Sequence, residues 1–340
     1  MTTVRTKVTT PLSLVQLTGV LILLLGVLVL SSLFTGTNPI PVWQALTDAM
    51  GTTPTLFSII LTEVRLPRTL IALIAGASLG LCGAAIQGLL RNPLASPGLV
   101  GSSSGAALGA VSGLYFGLEA SFALALPFGG MVGALGATLL VYLLAGNGST
   151  SATLILAGVA INALALSLVS LLLNLAPSPY AVQEIVLWML GSIANTSLDD
   201  LWILIPGTVL GWLLLIGTGR GLDALTLGEE TAFSMGIGVT RLRWRIFLAI
   251  ALAVGSAVSV TGTIGFVGLV VPHLMRPLVG YQPGRLLPVS ALGGAVLLLG
   301  ADICVRLFPA GTEIKVGVVT SLVGAPFFLY LILKTRRLLT

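Results

Sequence analysis

Residues 66–90 read LPRTLIALIAGASLGLCGAAIQGLL and contain a single charged side chain, Arg68. A helix of about 20 apolar residues is long enough to cross the hydrocarbon core of a bilayer. Similar runs recur along the chain of 340 residues, of which 56% are hydrophobic and 8% charged. A soluble domain has about a quarter charged residues, so this chain has too little charge to cover a water-facing surface. The sequence therefore predicts a membrane protein.

The apolar runs are long and continuous, whereas the strands of a transmembrane barrel are short and alternate between apolar and polar residues. Only helices and closed barrels span lipid, so we predict an all-α fold, a polytopic transmembrane helical bundle forming one domain over residues 1–340. About ten spans fit the sequence, near residues 13–34, 66–90, 97–114, 122–145, 152–174, 198–217, 241–262, 265–280, 286–306 and 313–334.

Two further segments interrupt this pattern. Residues 181–194 are predicted to form a short amphipathic helix outside the membrane, and residues 219–240 to form a polar break with one or two short helices. The first apolar run, near residues 12–33, exceeds the usual h-region of a signal peptide and is followed by no A-x-A-like site. It is therefore interpreted as an uncleaved first span.

The basic residues predict the orientation of the chain. With the N-terminus in the cytoplasm, twelve of the sixteen lysines and arginines fall on the cytoplasmic side, and the four on the opposite side are Arg65, Arg68, Arg306 and Lys315. Such a bias follows the positive-inside rule. We therefore expect both termini to be cytoplasmic and the protein to lie in the bacterial inner membrane, with no nucleic acid as partner.

A weak internal repeat relates the two halves of the chain, roughly residues 13–174 and 198–334. A span opens at Arg65-Leu66 and another at Arg241-Leu242, and each is followed by a segment broken by Gly and Pro, near residues 91–98 and 265–273. Five spans in each half would give the copies opposite orientations. Inverted repeats with interrupted helices at matching positions are typical of transporters.

Several motifs are better explained by structure than by chemistry. Glycines spaced four apart, at 76 and 80 and from 101 to 117, predict close helix packing. The G-x-S-x-G match at Gly101–Gly105 lacks the strand context of a hydrolase. The chain has one histidine, His273, which favours a structural hydrogen bond over a proton relay and leaves no usual metal cluster. Cys82 and Cys304 are interpreted as small buried hydrophobic residues without a disulfide.

Four groups of residues are candidates for function, each with a structural alternative. Arg65 and Arg68 share a helical face at the outer end, where they could hold an acidic partner or anchor the interface. Asp302 and Arg306 are spaced for an ion pair. Residues 222–238 could dock a cytoplasmic partner or form a solvated loop. One face of the fifth span carries small polar residues that could line a pathway or bond neighbouring helices: Ser167, Ser170 and Asn174.

None of the three lysines follows a glycine-rich loop, so the sequence has no Walker A motif. If ATP drives transport, a separate subunit must bind it. The chain also shows no convincing acidic residue in the middle of a span, which disfavours an ion-coupled carrier.

The ordered motifs resemble those of the permease subunits of iron–siderophore, vitamin B12 and haem ABC importers. The resemblance runs from about residue 60 to 334. It is carried by Arg65-Leu66-Pro67-Arg68, Gly83 and Gln87, residues 91–101 (RNPLASPGLVG), Leu227-Gly228-Glu229 with Ala232 and Met235-Gly236, residues 265–273 (GFVGLVVPH), Asp302 with Arg306, and Gly317 with residues 324–328 (GAPFF).

The resemblance implies a ten-span permease that pairs with a second copy or a paralogue. Two cytoplasmic ATPase subunits would use ATP and magnesium, and a periplasmic or lipoprotein binding protein would deliver substrate, so this chain would bind no cofactor and catalyse no reaction. It further implies ATPase coupling through Leu227, Gly228, Glu229, Ala232, Met235 and Gly236, docking of the binding protein by Arg65, Arg68 and Arg306, and a path lined by the fifth and tenth spans and residues 181–194.

Two departures from the family pattern are Lys315, where proline is common, and Glu229, where aspartate is frequent. The predicted function is an ABC importer permease for ferric siderophores. The alternatives are haem or cobalamin import on the same scaffold, an ion-coupled secondary transporter and, third, a membrane enzyme.

Overall fold

The computed structural model describes residues 13–36, 41, 47–48, 55–118, 122, 124–146, 150–308 and 314–339. Within these ranges the regular elements are all helical, which agrees with the predicted all-α fold. We number thirteen α-helices in chain order: α1 Leu14–Phe34, α2 Leu56–Leu90, α3 Ser102–Tyr115, α4 Ala125–Ala145, α5 Ser151–Asn174, α6 Pro179–Met189, α7 Leu198–Leu215, α8 Gly219–Leu225, α9 Glu229–Ser234, α10 Val239–Thr261, α11 Val267–Met275, α12 Pro283–Leu307 and α13 Val316–Leu339.

Seven of these helices are long and apolar enough to cross a membrane: α1, α2, α4, α5, α7, α10 and α12. The other three predicted spans correspond to α3, α11 and α13. Helix α3 has 14 residues, and the apolar parts of the other two are the short stretches Val267–Val279 and Val316–Leu331. The estimate of ten spans is therefore approximate, because Gly and Pro shorten the helices that follow α2 and α10.

Most predicted boundaries lie within a few residues of the observed ones, and the clearest exception is α2. This helix begins at Leu56 instead of residue 66, because Ile60–Arg65 continues it as a π-helical turn. Pro67, one residue after the end of this turn at Leu66, has no backbone N–H to donate. The π-helix is rare and occurs mostly as a single turn inside an α-helix, and here it carries the helix past the point where proline suggested a start.

The two interrupting segments also form as short helices. Residues 219–240 contain α8 and α9, as predicted, separated by Gly228, whose φ of 108° few other residues adopt. The amphipathic helix predicted over residues 181–194 is α6, which ends earlier, at Met189. Gly191, with φ of 72°, then turns the chain away from the helix.

Helices α2 and α10 form the centre of the bundle and are its most buried spans. Glycines allow their neighbours to approach closely, as the spacing of four predicts. A Cβ atom on Gly80 of α2 would lie 2.0 Å from the carbonyl oxygen of Ser290 in α12. One on Gly109 of α3 would lie 1.9 Å from the carbonyl oxygen of Gly129 in α4.

The two cysteines are free, but only Cys82 is buried. The prediction that Cys304 is also buried is wrong. It lies on the outward face of α12, where a small apolar side chain can face lipid without contacting water. The charged residues Arg5, Lys7 and Glu313 lie outside the described residues.

The functional candidates fall at opposite ends of the bundle. At one end, Asp302 near the end of α12 contacts Arg68 near the start of the α-helical part of α2. At the other end, the side chain of Asp223 in α8 accepts a hydrogen bond of 2.7 Å from the backbone N–H of Gly284 at the start of α12. The arginine candidates and the 219–240 segment therefore lie at opposite ends of the bundle, as the sequence predicts.

Candidate functional site

Asp302 is the centre of a buried charge cluster at the first of these ends. It is fully buried, and Nε and Nη2 of Arg68 donate to its Oδ1 at 3.0 and 2.8 Å. Nε of Arg306, one helical turn further along α12, donates to its Oδ2 at 2.8 Å. The carboxylate therefore joins α2 to α12 through two guanidinium groups, an arrangement stronger than hydrogen bonds between neutral groups.

The same cluster includes the end of α1. Nη1 of Arg306 donates to the backbone oxygen of Ser32 at 2.8 Å, and Nη2 donates to its hydroxyl oxygen at 2.8 Å. Nη1 of Arg65 donates to the backbone oxygen of Leu33 at 3.0 Å. Arginine thus satisfies carbonyl groups that the end of α1 leaves without helical partners. Three helices that are distant in sequence are held together at this face.

The cluster confirms the predicted ion pair between Asp302 and Arg306. It also changes the geometry of the predicted docking residues, because Arg65 and Arg68 are only 5% and 9% exposed. Docking by these arginines remains a prediction, and it now requires them to act from inside a network within the chain. The pair of Arg68 with Asp302 was missed by sequence reasoning. The sequence did contain a signal for this contact. An acidic residue within a span and a basic residue on the outer side are both unusual, and both were predicted for the same face of the bundle.

The opposite end presents the segment predicted to couple to an ATPase. Ala232 anchors α9 and is fully buried, while three apolar side chains around the helix are exposed: Leu227 at 65%, Phe233 at 76% and Met235 at 60%. Large apolar side chains grouped on a polar surface mark interaction sites. Of the predicted coupling residues, Leu227 and Met235 thus have the exposure that a contact requires, whereas Ala232 supports the helix.

The other predicted coupling residues fix the shape of this surface. Oε1 of Glu229 accepts a bond of 2.6 Å from Nη2 of Arg243 in α10, which ties α9 to the bundle. Gly228 and Gly236 have φ values of 108° and 80° and turn the chain at the two ends of α9. Beside them lies a cavity of about 570 Å³ that is also lined by Arg91 and by Thr150 to Ala152 at the start of α5.

The polar residues predicted for the translocation path lie together on α5. Ser167, Ser170 and Asn174 are all exposed, on the face opposite the buried residues Ala165 and Val169. The hydroxyl of Ser170 donates to the backbone oxygen of Leu166 at 2.9 Å, so it is satisfied within its own helix. This face is open to a path or to another chain, and the assignment as a path stays a prediction.

Gln87, one of the residues that carry the family resemblance, links the segment after α2 to α11 and to the residues that follow it. Its Nε2 donates to the backbone oxygens of Ala95 and Leu269, at 3.1 and 3.3 Å, and its Oε1 accepts a bond of 2.6 Å from Arg276. An amide side chain can make all these bonds at once. It thereby gives a partner to the carbonyl oxygen of Ala95, which lies outside any helix, and joins that segment to α11.

No group of three or more histidine, cysteine or acidic residues in the described parts of the chain is arranged to hold a metal ion. The arrangement instead has an anchored charge cluster at one end, an exposed apolar surface at the other, and an open helical face between them. These features define a membrane-spanning transport subunit.

Comparison with known proteins agrees with this class. A family model described as the FecCD transport family matches residues 22–334. The hemin transport system permease protein HmuU of Yersinia pestis is 41% identical over 81% of this chain and 83% of its own length. The vitamin B12 import system permease protein BtuC of Vibrio cholerae is 42% identical over 81% and 82%. A solved metal-chelate type ABC transporter in an inward-facing conformation superposes with a TM-score of 0.82 and 33% identity, over 94% of this chain and 98% of that one.

The chain belongs to the FecCD transport family. It is a membrane permease of the ABC importer type and not an enzyme.

Proposed function

We propose that this permease carries a metal chelate across the inner membrane, powered by separate ATPase subunits and supplied by a binding protein. The observation that carries the proposal is the exposed apolar surface around α9, formed by Leu227, Phe233 and Met235 in a chain that has no ATP-binding motif of its own. A second copy of the chain or a paralogue completes the path, and two ATPase subunits hydrolyse ATP with magnesium at their own sites.

Coupling to the ATPase is assigned to α9 and the turns beside it. Leu227 and Met235 are exposed, Ala232 packs against the bundle, and Glu229 is bonded to Arg243 of α10. A force applied to α9 would therefore act on α10, a central helix. Movement of such a rigid element between two positions is a recognised form of switching.

Docking of the binding protein is assigned to the opposite end, where Arg65, Arg68 and Arg306 lie. Arg65 is chosen for the test because Arg68 and Arg306 both bind Asp302, so that changing either of them would also disturb the buried cluster. We expect Arg65→Gln to weaken the binding protein's association, most clearly at low salt, where the attraction between charges on the two proteins is least screened. Lys315→Gln, at another basic residue of the predicted outer side, is the matched control.

The substrate is assigned to the class of metal chelates, with a ferric siderophore as the first ligand to test. Haem and cobalamin are the second candidates, because HmuU is named as a permease for hemin and BtuC as a permease for vitamin B12. The proposed path residues Ser167, Ser170 and Asn174 are small or weakly polar, so this face would pass a bulky ligand without holding it tightly. Selectivity would then reside mainly in the binding protein.

The test is uptake of radiolabelled ligand into proteoliposomes that contain the permease, its ATPase and its binding protein. The proposal predicts uptake that requires ATP and both partners. Among unlabelled ferric siderophore, haem and cobalamin, one should compete best with the labelled ligand for uptake. Uptake driven by a proton or sodium gradient without ATP would support an ion-coupled transporter and contradict the proposal.

A further inference from the structure

A large groove lies between three helices near the end of the bundle that carries α8 and α9. Its volume is about 920 Å³, and its walls are mostly apolar, from α2, α7 and α12. Val209 and Leu213 of α7, and Ile216 directly after its end, border the groove and are 43%, 55% and 66% exposed. These helices are spans, so the exposed wall of the groove faces lipid and not water.

Two charged side chains close the groove at its end, Arg220 and Asp223 of α8. Both oxygens of Asp223 are used by α12, accepting from Nε2 of Gln282 at 3.0 Å and from the backbone N–H of Gly284 at 2.7 Å. Arg220 is exposed, and none of the described residues forms an ion pair or side-chain hydrogen bond with it. The carboxylate oxygens of Asp223 are thus occupied by α12, and the guanidinium N–H groups of Arg220 are the donors that this end of the groove offers to a ligand.

The other arginine near the end of α7 differs in this respect. Nη2 of Arg245 donates to the backbone oxygens of Leu214 and Ile216, at 2.9 and 2.7 Å, and so completes the end of that helix. The guanidinium of Arg245 is thus bonded within the chain, whereas Arg220 lines the end of an apolar groove. Basic residues between spans at the membrane surface are typical of sites for anionic lipid headgroups.

We propose that this groove is a binding site for an anionic phospholipid, whose acyl chain lies against α7 and α12 and whose phosphate contacts Arg220. The site is separate from the proposed coupling surface, the charge cluster at Asp302 and the polar face of α5. It would fasten the α7–α8 junction to α12 through a lipid. The chemistry selects the occupant, because the groove combines an apolar wall between membrane spans with the exposed guanidinium group of Arg220 at its end.

The proposal can be tested by native mass spectrometry of the full chain in detergent, titrated with phosphatidylglycerol or phosphatidylcholine. We expect preferential retention of phosphatidylglycerol, weakened about five-fold by Arg220→Gln and restored by Arg220→Lys, since one basic residue contributes modestly to anionic lipid binding. Arg241→Gln removes an exposed arginine of α10 that does not line the groove, and should have no effect.

A second set of variants tests the apolar wall. Ala291→Trp should fill the groove and reduce lipid retention without changing any charge, and Val209→Trp serves the same purpose if the first variant is not monodisperse. Leu143→Trp, at an exposed position of α4 outside the groove, is the size control. Equal retention of the two lipids, equal losses from Arg220→Gln and Arg241→Gln, or unchanged retention in the filled variants would overturn the proposal.

Discussion

Replacing Asp302 by asparagine should destabilise the permease more than any other change of one acid to its amide. The carboxylate is fully buried and accepts hydrogen bonds from Arg68 and Arg306. Removing one partner of a buried ion pair costs roughly 3–5 kcal/mol, because the remaining charge stays buried. Asparagine keeps one oxygen acceptor but turns its NH₂ group toward a guanidinium. We therefore expect a loss of about 3 kcal/mol, at the lower end of that range.

The free energy of unfolding can be measured by denaturant titration of the detergent-solubilised protein. Asp199→Asn makes the same chemical change at an exposed position in the first turn of α7, and should alter the free energy by about 0.5 kcal/mol or less. Arg68→Gln in the Asp302→Asn background should add little further loss, because residues of one network are not additive. If Asp302→Asn unfolds with the free energy of its control, the cluster does not hold the three helices together.

Three further predictions concern other parts of the molecule. Gly83→Ala should displace α11 and lower the free energy of unfolding, since its Cβ would lie 2.0 Å from the backbone oxygen of Gly268. In the control Gly136→Ala, the Cβ meets no atom within 4 Å, so the same titration should show no change or a stabilisation of up to about 1 kcal/mol. Phe233→Ala should weaken co-purification of the ATPase. Phe116→Ala should not, because Phe116 is also a large exposed side chain but lies at the end of α3. Ser167→Trp should block uptake in proteoliposomes while leaving assembly intact, and Leu143→Trp on α4 should leave uptake unchanged.

The spans could be predicted because each long apolar run fixes its own helix, whatever its neighbours are. This is why α1, α5 and α12 have nearly the predicted bounds. The start of α2 could not be predicted, because the π turn before Pro67 depends on backbone geometry that no residue pattern specifies. The exposure of Cys304 was also hidden, since a residue in an apolar span can face either another helix or lipid.

The sites were less predictable than the fold, because they depend on contacts distant in sequence. Arg306 and Asp302 are four residues apart on one helix, and their pairing follows from that spacing. Arg68 and Asp302 are separated by 234 positions, and only the packing of α2 against α12 brings them together. The sequence therefore predicted that these arginines lie together at one end of the bundle, but could not show that their side chains are buried.

The two interrupted segments, which follow α2 and α10, lie against each other inside the bundle. Backbone that leaves a helix needs hydrogen-bond partners, because lipid offers none. Gln87 supplies one to Ala95, which lies between α2 and α3, and makes a second bond to Leu269 in α11. A Cβ on Gly268 would lie 2.7 Å from Cδ of Pro97, so the two broken segments touch directly. The irregular backbone at Ala95 is thus covered by protein, and its carbonyl oxygen has a partner that lipid could not supply.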